Sequence, residues 1–468
     1  MWFARLIPIP FVLVLSSLHA QLPQWQFVRS HDVLGKTPLM LFFGPREADP
    51  EPNSTAYVLC GGVDVNFNGQ QDPGDESPSL TVAWGRDNTE VASLNFSFSW
   101  GPLSFPLRPA VAQEQASFTV YLPLMNRLLR YTFPPFGWPH EDTVLNGPAQ
   151  AVAVSEGTLF VSRRNSAEPE IGLILVLRRD NVGIRVDTLR VYACQNIQQL
   201  VWDEARQQLI VLCEGQFGQR DAVVQFLPQG RDSGVTVVPV GGTGNFLLLS
   251  GDTLVVVSNG SHEVYLIDPG TRLWHRMPIE LGTTGYGGPR EAVLLTLPNG
   301  QRTLLVGTYS RDVRWVDIAT GQILQTLQLT GLAEGMALRS RGDTLELWVA
   351  QPFTPTYGPD STVAVFQLVL PTSVAEQTEG AREPRLMPSF LTEGPARLEW
   401  QLPDGAGAAV RVEVYSADGR RHAEWELPAA SGRLSVLLPL SRQLLPAGGY
   451  FLRLTSGPHT KTLPFVVY

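Results

Sequence analysis

Short hydrophobic runs, separated by turns rich in Gly, Pro, Asp and Asn, dominate the chain between residues 55 and 370. Leu254–Ser258 and Leu304–Thr308 are two such runs. Runs of this length, bounded by turn residues, are typical of β-strands and too short for ordinary helices. The 468 residues also include 43 Gly and 37 Pro, which favour many short strands. The pattern predicts an all-β protein.

The strand pattern repeats. Val264–Thr271 and Val313–Thr320 align position for position, each as a strand that ends in an Asp/Thr turn. Similar groups of three or four strands recur about every 40 to 50 residues, the period of a β-propeller. The spacing predicts a propeller over residues 21–370 with about seven blades, the first at 54–108 and the last at 333–370. Six or eight blades are the alternatives.

One repeat carries a family resemblance. The segment Val256-Val257-Ser258-Asn259, followed by Val264–Asp268, resembles the strands of YVTN-type propellers of extracellular prokaryotic proteins. This resemblance implies a binding and scaffolding architecture with no single shared chemistry.

The last part of the chain has a different pattern. Residues 371–388 are polar without hydrophobic periodicity and are interpreted as a linker. Strands with period two follow, and Asp418-Gly419 predicts a tight hairpin. Residues 389–468 are therefore expected to form an Ig-like β-sandwich.

Three segments of this module resemble the sorting domain of the type IX (Por) secretion system. They are Leu402-Pro403, Val414-Tyr415 with Gly419-Arg420, and Leu445 to Leu454 with its Gly-Gly-Tyr. The chain departs from the family pattern at Pro464, where a basic residue is usual. The resemblance implies that the secretion machinery is a partner of this domain. A plain Ig-like accessory domain is the alternative.

Residues 1–20 have the layout of a signal peptide: Arg5, the apolar run Leu6–Leu15, and Ala20 before the expected cut. No later run reaches 18 apolar residues, so no transmembrane span is expected after signal removal. We expect secretion via the periplasm, to an extracellular or cell-surface-attached location. In such a compartment Cys194 and Cys213 either pair or remain buried thiols, and Cys60 stays unpaired.

Charge and motifs limit the function classes. Lys and Arg total 35 against 44 Asp and Glu, a net charge of −9, which argues against nucleic-acid binding. No zinc, phosphate-loop or serine-nucleophile motif is present, so no catalytic residue is assigned. The predicted inner strands begin with polar residues that either face a channel ligand or are solvated, namely Gln150, Gln198, Asn245, Arg290, Glu291 and Glu334.

We therefore expect binding or scaffolding of an extracellular protein or polymer. The alternative is a calcium-dependent hydrolase or lactonase-like propeller enzyme.

Residues 64–75 predict a structural calcium site. Their pattern Asp-x-Asn-x-Asn-Gly-x-x-Asp-x-x-Asp resembles the calcium loops of EF-hands and dockerins. Because the flanking residues are strand-like, we expect the loop inside a β-hairpin. The expected ligands are Asp64, Asn66, Asn68, Gln70 (through its backbone carbonyl), Asp72 and Asp75. The alternative is an Asx-rich turn without metal.

Overall fold

The computed structural model describes residues 23–44, 55–66, 71–84, 88, 90–96, 109–113, 118–124, 127–133, 139–179, 184–216, 218–278, 287–297, 300–341, 344–369, 384–387, 390–391, 396–402, 409–416, 419–428, 433–440, 444–446, 448–457 and 459–467. All regular structure in these ranges is β-strand. The predicted signal peptide and most of the predicted linker lie outside the described residues. No helix in these ranges is long and apolar enough to cross a membrane.

After β1 (Trp25–Asp32), six four-stranded antiparallel sheets follow one another, and each pairs its strands in chain order. We call these sheets blades 1 to 6, and the first strand of each is its inner strand. The strands are β2 (Pro38–Gly44), β3 (Thr55–Cys60), β4 (Ser79–Trp84) and β5 (Glu90–Asn95) in blade 1; β6 (Ala110–Gln113), β7 (Phe118–Pro123), β8 (Arg127–Phe133) and β9 (His140–Asn146) in blade 2; β10 (Val152–Ser155), β11 (Thr158–Arg163), β12 (Gly172–Arg179) and β13 (Ile184–Val191) in blade 3; β14 (Ile197–Asp203), β15 (Gln208–Cys213), β16 (Val223–Pro228) and β17 (Thr236–Pro239) in blade 4; β18 (Gly244–Ser250), β19 (Thr253–Ser258), β20 (Glu263–Ile267) and β21 (Trp274–Pro278) in blade 5; β22 (Pro289–Thr296), β23 (Arg302–Thr308), β24 (Asp312–Asp317) and β25 (Ile323–Gln328) in blade 6.

Blade 7 takes its strands from both ends of the propeller sequence. Its first three strands are β26 (Met336–Arg341), β27 (Thr344–Phe353) and β28 (Pro359–Val369). The fourth is β1, which pairs antiparallel with β28 from Trp25 opposite Leu368 to Asp32 opposite Thr362. The first described strand of the chain therefore completes the last blade.

A hydrophobic core lies between every two adjacent blades. Within blade 5, Leu254 and Val256 pack towards blade 4, whereas Val255 and Val257 pack towards blade 6. The described residues form seven such inter-blade clusters, including one between blades 7 and 1. A blade that buries both faces requires a neighbour on each side, so the sheets form a closed ring. The propeller and its predicted count of seven are confirmed.

A buried polar cluster joins the two ends of the ring. Arg339 on β26 is 3% exposed and donates to Glu346 on β27 at 2.8 Å and to Asn88 of blade 1 at 2.5 Å. Glu346 also accepts hydrogen bonds from Trp348 and from Arg29 on β1. Burial opposes ionisation of Glu346, but Arg339, Trp348 and Arg29 hold its pKa below the ordinary value. This cluster links β1, blade 7 and blade 1.

Cys194 and Cys213 form a disulfide. Cys194 follows the outer strand of blade 3 and Cys213 ends β15 of blade 4, so the bond ties two neighbouring blades together. Cys60 is a buried free cysteine, and burial raises the pKa of its thiol to about 12.

The carboxy-terminal unit contains two further sheets. One has the order β29-β31-β34 and the other β30-β36-β35-β32-β33. Their shared core extends from Leu386 to Val467 and includes no propeller residue. Two sheets over one core form a β-sandwich, while its Ig-like character stays a prediction. The strands are β29 (Arg385–Met387), β30 (Phe390–Leu391), β31 (Ala396–Gln401), β32 (Ala409–Ser416), β33 (Arg421–Pro428), β34 (Arg433–Leu438), β35 (Gly448–Ser456) and β36 (His459–Val467).

Two boundaries differ from the sequence-based expectation. Blade 1 begins with β2 at Pro38, not near residue 54, because Pro38–Gly44 supplies its inner strand. Strand β29 lies in the last residues of the predicted linker, where it pairs with β31 and buries Leu386.

Candidate functional site

The candidate site surrounds the end of the ring at which the inner strands begin. Near this end, four inner strands skip one residue in their pairing with the second strand. The skipped residues are Leu39, Gln198, Asn245 and Arg290. Such β-bulges redirect side chains, and three of these four residues belong to the polar set predicted for the channel.

In blades 3 and 4, amide side chains converge on one carboxylate. Gln150 Nε2 donates to Asn196 Oδ1 at 2.9 Å across the blade boundary. Asn196 and Gln198 both donate to Glu214 Oε2, the latter at 2.6 Å. Burial raises the pKa of Glu214, although these two amides and the positive charge of Arg290 oppose the shift.

In blades 6 and 7, a buried ion pair crosses the blade boundary. Arg290 Nε and Nη2 each donate to one oxygen of Glu334 at 3.0 Å, and only 13% and 3% of the two side chains are exposed. The Tyr309 hydroxyl donates to Glu334 at 2.6 Å, and the guanidinium lies 4.6 Å from the Tyr309 ring centre. Asn245 of blade 5 donates to the Arg290 carbonyl at 2.7 Å.

The electrostatics of this site keep Arg290 charged. Burial acts to lower the pKa of Arg290, but the charge and hydrogen bonds of Glu334 and the charge of Glu214 raise it overall. Burial and the Glu334 charge raise the pKa of Tyr309 well above its ordinary value. At neutral pH, Arg290 is therefore a fixed cation and Tyr309 a neutral donor. Arg290 also couples electrostatically to Glu214, which connects the two halves of the site.

Five of the six predicted channel residues thus take part in two networks, Gln150 and Gln198 in the one around Glu214, and Asn245, Arg290 and Glu334 in the one around the ion pair. Glu291 is the next residue after Arg290 on β22, where it is buried opposite Gly307. Sequence reasoning missed Asn196, Glu214 and Tyr309. Aligning the repeats could have found the last two, because each directly follows the second strand of its blade. Asn259 occupies the same position in blade 5, and its amide donates to the Pro289 carbonyl at 3.1 Å.

The predicted calcium loop connects β3 and β4, which pair antiparallel, so its expected position within a hairpin is correct. Asp75 accepts from the backbone N–H groups of Val65 at 2.8 Å and Asp72 at 2.7 Å, and Asn66 donates to Asp72 at 2.6 Å. Through its two carboxylate oxygens, Asp75 thus joins the backbone at Val65 to the backbone at Asp72.

Two of the expected ligands, Asn68 and Gln70, lie outside the described residues, whereas Asp64 lies within them. No group of three His, Cys, Asp or Glu side chains suited to a metal occurs in the described ranges. Calcium binding by this loop stays a prediction.

No protein-family model matches the sequence, and no curated protein matches it. Solved propellers show low similarity. The WD40 propeller domain of Doa1 is 12% identical, with 76% of this chain and 98% of that chain covered at a TM-score of 0.45. The WD40 repeats of RRP9 are 13% identical, with 74% of this chain and 97% of that chain covered at a TM-score of 0.49. A chain of the mitotic checkpoint complex is 11% identical, with 79% of this chain and 99% of that chain covered at a TM-score of 0.48. The seven four-stranded sheets and the seven cores between them define the propeller.

We expect Glu334→Ala to lower the free energy of unfolding by about 3–5 kcal/mol, because it leaves Arg290 buried without a counter-ion. The double variant Arg290→Met with Glu334→Met should lose less of this free energy, because it leaves no buried charge without a partner. Denaturant unfolding measures both. Asp187→Ala is the matched control, because its partner Arg178 is 48% exposed. This exposed pair should contribute less than about 1 kcal/mol. Equal losses for Glu334→Ala and Asp187→Ala would contradict the role given to the buried pair.

If the β3–β4 loop binds calcium, excess calcium should raise the melting temperature relative to chelator, because a ligand bound only by the folded state stabilises it by mass action. We expect this difference in melting temperature to disappear in Asp64→Ala. It should persist in the control variant Asp142→Ala, which removes a carboxylate from β9 of blade 2. Identical melting temperatures in calcium and chelator would leave only the turn.

Proposed function

We propose that the chain is an exported, non-catalytic propeller that binds an extracellular partner. One observation carries the proposal: the charged and amide side chains at the inner-strand end are engaged with one another across blades. Glu334, one of the two acidic residues of the predicted channel set, accepts hydrogen bonds from both arms of Arg290 and from Tyr309. A carboxylate fixed in this way stabilises the blade boundary and is poorly suited to accept a substrate proton.

The fold supports the same role. Each blade shares a core with both neighbours, so the loops at the ring faces are mounted on a rigid frame. The resemblance of Val256–Asn259 and Val264–Asp268 to YVTN-type repeats agrees with a binding architecture, and these segments lie on β19 and β20.

Export by the type IX system is the second part of the proposal. The carboxy-terminal sandwich has its own core, as expected for a detachable sorting domain. Residues that carry the resemblance occupy structural positions: Gly419 has a φ of +82° in the β32–β33 turn, and Tyr450 on β35 donates to the Pro446 carbonyl at 2.8 Å. The Cys194–Cys213 disulfide is typical of proteins that fold in oxidising compartments.

A screen of hydrolase and lactonase substrates, run with and without calcium, tests the non-catalytic role. We expect no turnover above background, because the charged groups at the inner-strand end are internally paired. Reproducible turnover that is lost in Glu334→Gln or Glu291→Gln, and retained in the surface variant Glu156→Gln, would support the enzyme alternative instead.

Deletion of residues 384–468 tests the export role in a bacterium that has a type IX system. Because the two cores share no residue, the propeller should stay folded and accumulate in the periplasm. Fractionation with a periplasmic marker enzyme as the leakage control measures its location. Appearance of the truncated protein in the medium, without the marker, would refute the sorting role.

A further inference from the structure

At the boundary of blades 4 and 5, one buried glutamate holds two exposed arginines. Glu263, the first residue of β20, is 6% exposed. Arg220 Nη2 lies 2.9 and 2.7 Å from its two oxygens, and Arg276 Nη1 lies 3.0 Å from Oε1. The arginine side chains are nevertheless 58% and 51% exposed. Each guanidinium carries five N–H donors, so most of its donor capacity remains for a ligand.

The surroundings of Glu263 fix both arginines in place. The Tyr265 hydroxyl donates to Oε2 at 2.8 Å. Gly241 has a φ of +81°, and a Cβ there would lie only 2.6 Å from Oε2 of Glu263. Any other residue at position 241 would therefore clash with this carboxylate. Burial opposes ionisation of Glu263, but Arg220, Tyr265 and Ser261 hold its pKa below the ordinary value. Two cations and one anion leave this surface positive on a chain whose net charge is −9.

The corresponding position of blade 6 has no such surface. Asp312 is also the first residue of its strand, but it accepts from the Thr308 hydroxyl and pairs with Arg314, whose side chain is only 15% exposed. An acidic residue at this position therefore does not by itself create two exposed arginines. Of these two strand-initial acidic residues, only Glu263 holds two exposed arginines.

The same surface contains an exposed tryptophan and, within the part of the chain that the structure describes, the edge strand of blade 5. Trp274 is 49% exposed, lies two residues before Arg276 on β21, and has its ring 5.5 Å from that of Tyr265. Trp, Tyr and Arg are the residues enriched at the energetic centres of protein interfaces. Strand β21 forms the outer edge of its sheet, and an edge strand presents backbone groups that can pair with another strand.

We propose that this surface, formed by Arg220, Glu263, Tyr265, Trp274 and Arg276, binds an extended acidic segment of a partner protein. The segment adds to β21 as a fifth strand of blade 5, and a carboxylate of the segment is bound between Arg220 and Arg276. An apolar side chain two residues away contacts Trp274, because alternate residues of a strand face the same side. The positive charge selects an acidic ligand, and the strand edge selects a peptide over a polysaccharide. This inference rests on the proposed binding role and gives it a location and a ligand chemistry.

The test uses the full chain and a fluorescein-labelled nine-residue peptide in which Thr alternates with Glu and Val. A second peptide has Gln in place of Glu. Anisotropy should show binding of the acidic peptide that weakens with salt, and the Gln peptide should bind on the order of tenfold more weakly. Hydrogen exchange should show new protection of the β21 amides when the acidic peptide is bound.

Two variants examine the surface directly. Arg276→Gln keeps the contact of Arg220 with Glu263, so the fold is retained, and Trp274→Ala changes an exposed ring. Each should weaken peptide binding on the order of tenfold. Arg185→Gln is the control, because it removes an arginine that is 70% exposed on the outer strand of blade 3. It should leave the affinity within about twofold, as expected for an exposed charge outside the interface.

The inference would be overturned if the acidic peptide did not bind at about 1 mM, the weak end of measurable affinities, or if the two peptides bound equally. It would equally be overturned if both Arg276→Gln and Trp274→Ala left peptide binding unchanged, or if the peptide bound without protecting the β21 amides. Arginine-dependent binding of polygalacturonate in place of the peptide would also overturn it, in favour of an acidic polymer. All of these outcomes leave the non-catalytic role standing, since only turnover refutes that.

Discussion

Closure of the ring is the constraint on which the rest of the structure depends. Every blade buries apolar side chains on both faces, so an open row of blades would expose the outer faces of the first and the last. The pairing of β1 with β28 and the packing of blade 7 against blade 1 remove both exposed faces. Buried Arg339 reinforces the junction through Glu346 and Asn88, and Glu346 in turn accepts a hydrogen bond from Arg29 on β1. Buried ionic groups of this kind are costly unless all partners are in place, so the cluster favours the closed form alone.

The closed ring also explains the polar contacts at the inner-strand end. Adjacent inner strands lie close together there, and bulges direct Gln198, Asn245 and Arg290 towards neighbouring chain segments. Arg290 meets Glu334 of the next blade only because the blades are held at a fixed spacing. The same frame brings Arg220 from blade 4 to Glu263 of blade 5. Both sites therefore depend on the spacing of the two blades that they join.

The sequence predicted those parts of the fold whose burial leaves a clear pattern. The second and third strands of blade 5 are fully buried, and their continuous apolar runs stand out in the sequence. In strand β1, the three residues after Trp25 are exposed, and partly buried and exposed residues alternate only from Arg29 to Asp32. It was missed because its partner, β28, is more than 300 residues away, and no local pattern reveals such a pairing.

The candidate site was predictable in part for a similar reason. Polar residues at the starts of inner strands break an apolar pattern and are visible in the sequence, as at Arg290 and Glu334. Their partners Glu214 and Tyr309 lie just beyond strand ends, where polar residues are common, so only an alignment of the blade repeats could have distinguished them. The arginines that share Glu263 come from separate blades, so only the three-dimensional arrangement shows that Arg220 and Arg276 meet.

Native-state hydrogen exchange of the full chain tests ring closure most directly. Amides that face β28, such as those of His31 on β1 and of Val33 just after it, which donates to the Ser361 carbonyl at 2.8 Å, can be compared with amides of the buried strand β27. If closure by β1 holds the blades together, both sets should exchange only through global unfolding and show the same opening free energy. Exchange of β1 through a much less costly local opening, while β27 remains protected, would show that the ring persists without β1 and would contradict this account.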